Sequence, residues 1–438
     1  ARLRDAGHEV EVVAWADRVS TADLLARLAD DGAKTVRLCE PVDFILEKRL
    51  HAAAEAAGVD LDILDTPLFL TTRAENAAFF EGRKRYFMAD YYKHQRRRLG
   101  ILVDDDGEPA GGQWSFDHDN RETLTKAILA EVPPLPEVEQ DAVIEEAQAY
   151  VEEHFPDHVG ASGLLPYPTT RDGAAEWLAA FVAQRFERFG PYEDAIEPGH
   201  SALYHAVLTP VLNVGLVTPQ QVLDAVLGAD GIPLNSLEGF VRQVIGWREY
   251  MRALYDLEGV PLRTANVWGF DRDLPDAWYD GTTGLAPVDD VIPRVLQTGY
   301  ANHIERLMVL GGALFLTRVH PTQVYRWFME LFVDAYDWVM VPNAYGMSQH
   351  AAGPLLTTKP YMSGSNYLRK MSHYPRGDWE AEWDGLYWTF LRDYREPIEG
   401  YHRMAMITGH LDRMGEDKMA AHEAAADRYL KRIGIDDA

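Results

Sequence analysis

Cysteine is nearly absent, since Cys39 is the single one in 438 residues. A disulfide needs two cysteines, and the usual structural zinc and iron–sulfur sites need several thiolate ligands. The sequence therefore excludes an intramolecular disulfide and a metal site of the four-thiolate kind.

Long apolar runs and a net positive charge are also missing. No segment approaches the ~18 to 20 apolar residues of a membrane span, and no signal peptide opens the chain. The formal net charge of −27 argues against attraction of nucleic acid over the whole surface, so such binding would need a local basic patch. We expect a cytoplasmic, monomeric protein with no membrane partner.

What is present suffices for a large core, because 47% of the residues are hydrophobic. Residues 1–130 alternate strand-like and helical runs, and this rhythm predicts a parallel, doubly wound α/β domain of the Rossmann-like kind. The runs are VEVVAW, Thr21 to Asp31, KTVRLCEP, Phe44 to Gly58 and LDILDT. The chain opens on a helix end and a glycine turn, so we expect that the N-terminal part of this domain is missing.

The rest of the chain has a different character. Residues 131–172 are rich in proline, glycine and acidic residues, which predicts a linker between domains. Apolar residues then recur at helical spacing, which predicts an all-α domain over residues 173–438. Its helical runs are residues 173–189, 236–257, 287–315, 322–340 and 385–395.

The most basic stretch is EGRKRYFMADYYKHQRRRLG, which carries Arg83, Lys84 and Arg97 among aromatic residues. We expect it to form a helix. Its charges either lie on a solvated helix face or form a surface that follows a phosphate backbone.

Polar groups also interrupt apolar helices of the second half. The Thr-Pro pair at Thr209, in the run 205–219, is either a capped helix start or a site for an anion such as pyrophosphate. In EGFVRQVIGWREYMR, Gln243 and Arg248 flank Trp247. Because buried charges are costly unless paired, this helix is either a salt-bridge scaffold or the wall of a polar ligand site.

His303 and Arg306 lie three residues apart, on one face of an apolar helix. A histidine in an apolar site is usually structural, but it can also have a shifted pKa and exchange a proton with a ligand. The following residues, 334–374, are rich in Gly, Ser and Asn, and so long an irregular stretch is usually functional.

Together these segments resemble the bacterial iron–sulfur photolyases in order and spacing. EGFVRQVIGWREYMR, YANHIERLM, DAYDWV, GMSQ and TKPY are similar to the flavin-domain signature of that group, and GRKRYFMADYYKHQRRRLGILV and GGQWSFDHDNR to its N-terminal domain. The chain is thus identified as a member of the photolyase/cryptochrome superfamily, similar to its bacterial iron–sulfur (6-4) branch over about residues 3–403.

The resemblance implies an α/β antenna domain, a helical domain that encloses FAD, and light-driven repair of (6-4) photoproducts in UV-damaged DNA by electron transfer from photoexcited reduced FAD. It implies FAD contacts by His205, Thr209, Gln243, Trp247, Arg248, Arg306, Asp334, Met340 and Asn343. It assigns proton donation to the lesion to His303, and electron relay to Trp327 and to Tyr279, next to Trp278. The DNA contacts that it implies, together with the basic stretch, are Arg83, Lys84, Arg97, Lys359 and Tyr361.

The chain departs from this branch at the positions of its cluster cysteines. Pro287, the run Tyr374 to Gly377 and the segment 379–385 stand there instead, so we expect no iron–sulfur cluster. The antenna chromophore of the branch is 6,7-dimethyl-8-ribityllumazine, and the residues that hold it would lie partly in the missing N-terminal segment.

Two further departures bear on activity. Met340 stands where a polar residue is expected beside flavin N5, and a thioether is a weak acceptor. Asn302 replaces the first histidine of a His-His pair. Both favour the alternative of a cryptochrome-like photoreceptor that binds FAD without repair, whereas the retained His303 favours repair of (6-4) lesions.

Overall fold

The structure is a computed structural model that describes residues 2–13, 19–163 and 165–435. The chain divides into two compact units, residues 1–67 and 68–438. The boundaries near residues 130 and 172, which separate the predicted α/β domain, linker and helical domain, stay predictions.

The first unit is a small α/β layer. Its elements are α1 (Arg2–Asp5), α2 (Thr21–Asp30), β1 (Thr35–Cys39), α3 (Phe44–Ala57) and β2 (Asp60–Leu64). The strands pair in parallel with Thr35 opposite Asp60, which requires the crossover that α3 provides. α3 matches the helical run predicted from Phe44 to Gly58, and in the structure Asp43 caps its start and the left-handed Gly58 ends it.

One predicted strand is wrong in its described part. Residues 10–13 of the run VEVVAW form no strand, and residues 14 and 15 lie outside the described residues. The described chain therefore holds a two-stranded sheet, not the three strands that the rhythm predicts.

The second unit is helical. Its α-helices are α4 (Arg73–Phe80), α5 (Met88–Leu99), α6 (Lys126–Ala130), α7 (Ala142–His154), α8 (Arg171–Gln184), α9 (Phe186–Phe189), α10 (Thr209–Asn213), α11 (Pro219–Leu227), α12 (Leu234–Val241), α13 (Glu249–Leu262), α14 (Ala277–Asp280), α15 (Ala286–Thr298), α16 (Gly312–Leu316), α17 (Pro321–Leu331), α18 (Asp337–Val341), α19 (Ser365–Met371), α20 (Asp378–Asp393), α21 (Arg395–Glu399), α22 (Ala405–Asp412) and α23 (Glu416–Arg432). None of the helices in the described ranges combines the length and apolar character needed to cross a bilayer.

In the described part of this unit, three π-helical segments interrupt the pattern, at Arg242–Arg248, Glu305–Gly311 and Pro342–Ser348. The first joins α12 to α13, the second leads into α16, and the third continues α18. A π-helical turn widens the backbone ring and changes the direction of the following side chains, and such turns are frequent at functional sites.

The basic stretch is only partly helical. α5 begins at Met88, and residues 81–87 form a turn in which Gly82 has a φ of +69°. Phe87, which directly precedes α5, has an extended backbone with φ −101° and ψ +119°, so the expected helix does not extend back over Arg83 and Lys84. Likewise, the predicted linker contains α7, and the stretch 334–374 contains α18, α19 and the third π-helix.

Two of the apolar regions that stabilise the helical unit bear on the site. One surrounds Phe181 and Phe240, whose ring centroids are 4.8 Å apart. The other is an aromatic cluster around Trp268, which contacts Phe315 and Phe390 at 5.6 Å each. We call the second region the Trp268 cluster.

Candidate flavin site

The helical unit contains a cavity of about 310 Å³, within the size range of small-molecule sites. All three π-helices contribute to its wall, together with α10 and residues near 205 and 300. The widened helices therefore point Gln243, Arg306 and Asn343 at the same space, although these residues are far apart in the sequence.

A buried ion pair forms one side of the cavity. Arg306 donates from Nη1 and Nη2 to the two oxygens of Asp334, at 2.8 and 3.0 Å. Thr209 donates its hydroxyl to the same carboxylate, and Asn213 donates to the main-chain oxygen of Asp334 at 2.7 Å. Burial alone would lower the pKa of Arg306, but the Asp334 carboxylate outweighs it and the pKa is raised. The guanidinium is therefore charged and fixed.

Arg248 is a second cation of the cavity wall. Its guanidinium lies 4.9 and 4.8 Å from the rings of Phe69 and Trp338, and Nη1 donates to Asn213 Oδ1 at 2.6 Å. Desolvation lowers its pKa to about 10, which leaves it protonated at neutral pH. Its Nε is buried and has no hydrogen-bond partner among the described residues. A buried unpaired donor beside a cavity suits an anionic ligand.

A third polar group is centred on Glu193, which the sequence patterns do not mark. Gln243 Nε2 donates to Glu193 Oε1, and Asn120 Nδ2 donates to Oε2 at 2.9 Å. Burial raises the pKa of Glu193 to about 7. His205 lies beside it, with Nε2 2.9 Å from the Glu193 main-chain oxygen and Nδ1 3.0 Å from that of Ala202. These carbonyls favour a protonated ring, but desolvation is the larger effect and lowers the pKa of His205.

His303 lies in the cavity wall with its surface accessible, and its ring makes no hydrogen bond within the described ranges. Desolvation by the surrounding atoms, and then the charge of Arg306, lower its pKa to about 4. The imidazole is therefore neutral at neutral pH and keeps both ring nitrogens available to a ligand.

The remaining predicted cofactor residues also line the cavity. Trp247 stands edge-on to Tyr250 with ring centroids 6.1 Å apart, and Met340 is buried in the wall. Asn343 Nδ2 donates to the Val339 oxygen at 2.8 Å. The structure thus brings every residue of the predicted FAD set into one cavity with His303.

The predicted electron-relay residues lie behind the wall. Trp327 is fully buried, and its ring is 5.1 Å from Phe328, which lines the cavity. Its ring is perpendicular to Trp278 at 5.7 Å, and its Nε1 donates to the Trp278 oxygen at 2.9 Å. Tyr279 instead donates its hydroxyl to Glu330 at 2.8 Å. The aromatic contact to Trp327 therefore comes from Trp278.

The predicted DNA contacts are separate from the cavity wall as described. Arg83 lies over the ring of Phe79 at 4.3 Å, and Lys84 is exposed. Arg97 donates to the Gly107 oxygen at 2.9 Å and to Glu108 at 3.4 Å, so much of its donor capacity is used within the protein. Lys359 and Tyr361 are half-buried in the loop between the third π-helix and α19.

The fold is similar to two solved structures. A bacterial class III photolyase from Agrobacterium tumefaciens matches with a TM-score of 0.53 and 17% identity, over 96% of this chain and 77% of that one. A cryptochrome from Synechocystis sp. PCC6803 matches with a TM-score of 0.53 and 13% identity, over 92% and 77%. The molecule therefore has the photolyase/cryptochrome fold, an N-terminal α/β domain followed by a helical domain.

Sequence comparison narrows this class. A family model described as deoxyribodipyrimidine photo-lyase-related protein matches residues 1–164. The chain is 34% identical to the (6-4) photolyase of Agrobacterium fabrum over 448 residues, which span 98% of this chain and 88% of that protein. The chain belongs to the photolyase-related family, and the resemblance found in its motifs is confirmed.

Proposed function

We propose that this protein uses light to repair pyrimidine (6-4) photoproducts in DNA, with FAD bound in the cavity of the helical unit. The observation that carries the proposal is the convergence of the predicted FAD set and His303 on one cavity. Similarity along the whole chain to a (6-4) photolyase supports it independently.

The cavity residues fit a flavin dinucleotide, which combines flat aromatic rings with a pyrophosphate. The unpaired Nε of Arg248 and the fixed guanidinium of Arg306 offer positive charge. Trp247, Met340 and neighbouring apolar residues offer flat or adaptable walls, and the amides of Gln243 and Asn343 offer polar contacts. These residues would hold the cofactor.

Reduced FAD, when bound, supplies the electron that light transfers to the lesion. The residues of the chain supply position, electrostatics and protons. The Arg306–Asp334 pair fixes a guanidinium in the wall with its counter-charge on the protein. Because the wall is mostly apolar, its low dielectric strengthens the electrostatic interactions of this pair with a bound ligand.

His303 is the proton donor in this proposal. Its ring is neutral in the free protein, because its pKa is lowered to about 4. The phosphates of bound DNA are negative and raise the pKa of a nearby imidazole, so substrate binding favours the protonated ring. A ring N–H would then give its proton to the lesion as the electron arrives, and the ring would take a proton back when the repaired pyrimidines return the electron to the cofactor.

Other parts of the proposal rest on the resemblance. Trp327 and Trp278 would carry electrons to the cavity, and the exposed Lys84 would contact DNA phosphates. A lumazine antenna, the absence of an iron–sulfur cluster, a monomeric state and a cytoplasmic location stay predictions.

The test is a repair assay on purified protein that shows flavin absorption bands. A (6-4)-containing oligonucleotide is illuminated with blue light, and the restored thymines are separated by chromatography. Repair in light and none in darkness is expected. Flavin bands without restored thymines would contradict the proposal and favour the photoreceptor alternative.

A further inference from the structure

Glu193 is a carboxyl group of the cavity wall that the proposed mechanism leaves without a role. It follows α9 in the sequence, and its side chain receives hydrogen bonds from Gln243 on one oxygen and from Asn120 on the other. Asn120 is itself buried and comes from a distant loop. Amide donors from two separate segments thus hold this carboxyl in one orientation.

A glycine in the neighbouring helix makes room for this arrangement. A Cβ atom on Gly239 would lie 2.7 Å from Asn120 Nδ2 and 3.2 Å from Glu193 Oε2. Glycine weakens the interior of a helix such as α12, so the close approach of Asn120 and Glu193 comes at a cost in the stability of that helix. The backbone of α12 is therefore shaped around the Asn120–Glu193 pair.

Charged groups face Glu193 from several elements. Arg242 Nη2 lies 3.5 Å from Oε2 and favours the carboxylate, whereas Asp194 and Asp117 disfavour it. His205 contacts its main chain, and His303 shares the cavity. Desolvation exceeds the effect of Arg242 and raises the pKa to about 7. Both protonation states are therefore populated at neutral pH.

We propose that Glu193 binds the polar edge of the flipped lesion and that its protonation state sets how strongly the protein distinguishes lesion from undamaged DNA. This inference rests on the proposed repair function. A (6-4) lesion presents hydroxyl and imide N–H donors, and a carboxylate accepts hydrogen bonds from both. The acid form loses part of this acceptor capacity. Discrimination therefore strengthens as the pH rises through 7 and weakens as it falls.

The experiment measures dark binding of the FAD-loaded protein to matched oligonucleotides with and without a (6-4) lesion, from pH 6 to pH 8. The ratio of the two Kd values is used because phosphate contacts are common to both and cancel. The wild type should show a ratio that rises about several-fold with a midpoint near 7. Glu193→Gln should show a lower ratio that is independent of pH.

Asp194→Asn is the matched control, since it removes the adjacent carboxyl and leaves Glu193 in place. In this variant the ratio of the two Kd values should still rise with pH, but at a lower pH than in the wild type, because Asp194 raises the pKa of Glu193. If Glu193→Gln does not fold, Glu193→Asp tests the same point, because it keeps a titrating carboxyl but withdraws it by one methylene. That variant should keep the pH dependence with a smaller ratio.

Two failures are distinguishable. A wild type that performs no light-driven repair overturns the proposed function. A wild type that repairs, with Glu193→Gln giving the wild-type pH profile of the Kd ratio, overturns the role of Glu193 alone.

Discussion

His303 lies in the cavity wall and His350 lies in the Trp268 cluster, and desolvation by surrounding atoms lowers the pKa of each to about 4. The two histidines differ in their exposure and in their hydrogen bonds. His350 is 0% exposed, and its two nitrogens lie 2.8 Å from Thr357 Oγ1 and 2.9 Å from Tyr401 Oη. His303 is accessible from the cavity and has no hydrogen bond within the described ranges.

The two regions show that a shifted pKa does not by itself identify a functional group. In the Trp268 cluster the polar atoms of the histidine are satisfied and aromatic rings close around it. In the cavity wall, His303 and Arg248 Nε lack partners in the described chain while their neighbours are fixed by hydrogen bonds. A binding site differs from a core in that some of its polar atoms lack hydrogen-bond partners while the residues around them are held in place.

The largest expected effect comes from breaking the fixed frame of the cavity. Asp334→Asn leaves the buried guanidinium of Arg306 without its charged partner and weakens the acceptor of the Thr209 hydroxyl. Loss of one partner of a buried pair costs about 3–5 kcal/mol, so we expect FAD affinity to fall by about 100-fold or more and the purified variant to lose most of its flavin. The ratio of flavin to protein absorbance measures it.

Asp393→Asn is the control for that experiment, because Asp393 pairs with Arg318 and Arg392 outside the cavity wall. It should retain normal flavin. Full loading of Asp334→Asn would show that the ion pair does not organise the site.

Replacing each of the two histidines by alanine separates an effect on the repair rate from an effect on thermal stability. His303→Ala should reduce the repair rate by about 100-fold or more while FAD stays bound, since it removes a general acid. His350→Ala should instead lower the thermal midpoint, because it leaves Thr357 and Tyr401 unpaired around a cavity, and should keep the repair rate per bound flavin. Single-turnover repair and thermal unfolding measure the two effects. The opposite pattern would refute the distinction between the regions.

A smaller effect is expected behind the wall, where the neighbours Trp278 and Tyr279 can be compared. Trp278→Phe removes the indole that contacts Trp327, so photoreduction of the flavin by external reductant should slow about 10-fold. Tyr279→Phe breaks only the hydrogen bond to Glu330 and should leave the rate within about twofold. Flavin absorbance during continuous blue illumination reports both rates. Slow flavin photoreduction in Tyr279→Phe, with a normal rate in Trp278→Phe, would assign the electron relay to Tyr279.

The smallest effect is expected on the surface. Lys84→Ala should weaken binding of damaged and undamaged DNA equally, by about two- to fivefold, and reduce the salt slope by about 1. Arg97→Ala is the comparison, because Arg97 already donates to Gly107 and Glu108. It should change affinity less than Lys84→Ala does. A fluorescence titration at several salt concentrations checks the order.

The composition of the cavity wall could be predicted because the motif residues lie on helices whose apolar faces must pack inward. Gln243 and Arg306 lie on such helices, whereas Asp334 lies between α17 and α18, and the family resemblance implied the place of all three beside the flavin. The contact of Trp278, rather than Tyr279, with Trp327 could not be predicted, because adjacent residues on a helix point about 100° apart and a motif does not fix which one faces the core.

Other features depend on tertiary contacts. Glu193 gains its importance from Asn120 and Gly239, which approach it only in the folded chain. The basic helix begins only at Met88 because the backbone of Phe87 is extended, and a phenylalanine can adopt either a helical or an extended conformation. The π-helical turns likewise have no residue pattern of their own in this sequence.

In the proposed function, repair of (6-4) lesions depends on His303, which lies in the wall of the flavin cavity without a hydrogen-bond partner among the described residues. The most direct measurement compares wild type and His303→Ala, both loaded with FAD, in one blue-light flash experiment on a (6-4)-containing oligonucleotide. Restored thymines are expected with the wild type, and none above the dark control with the variant. Equal repair by both proteins, or none by the wild type, would contradict it.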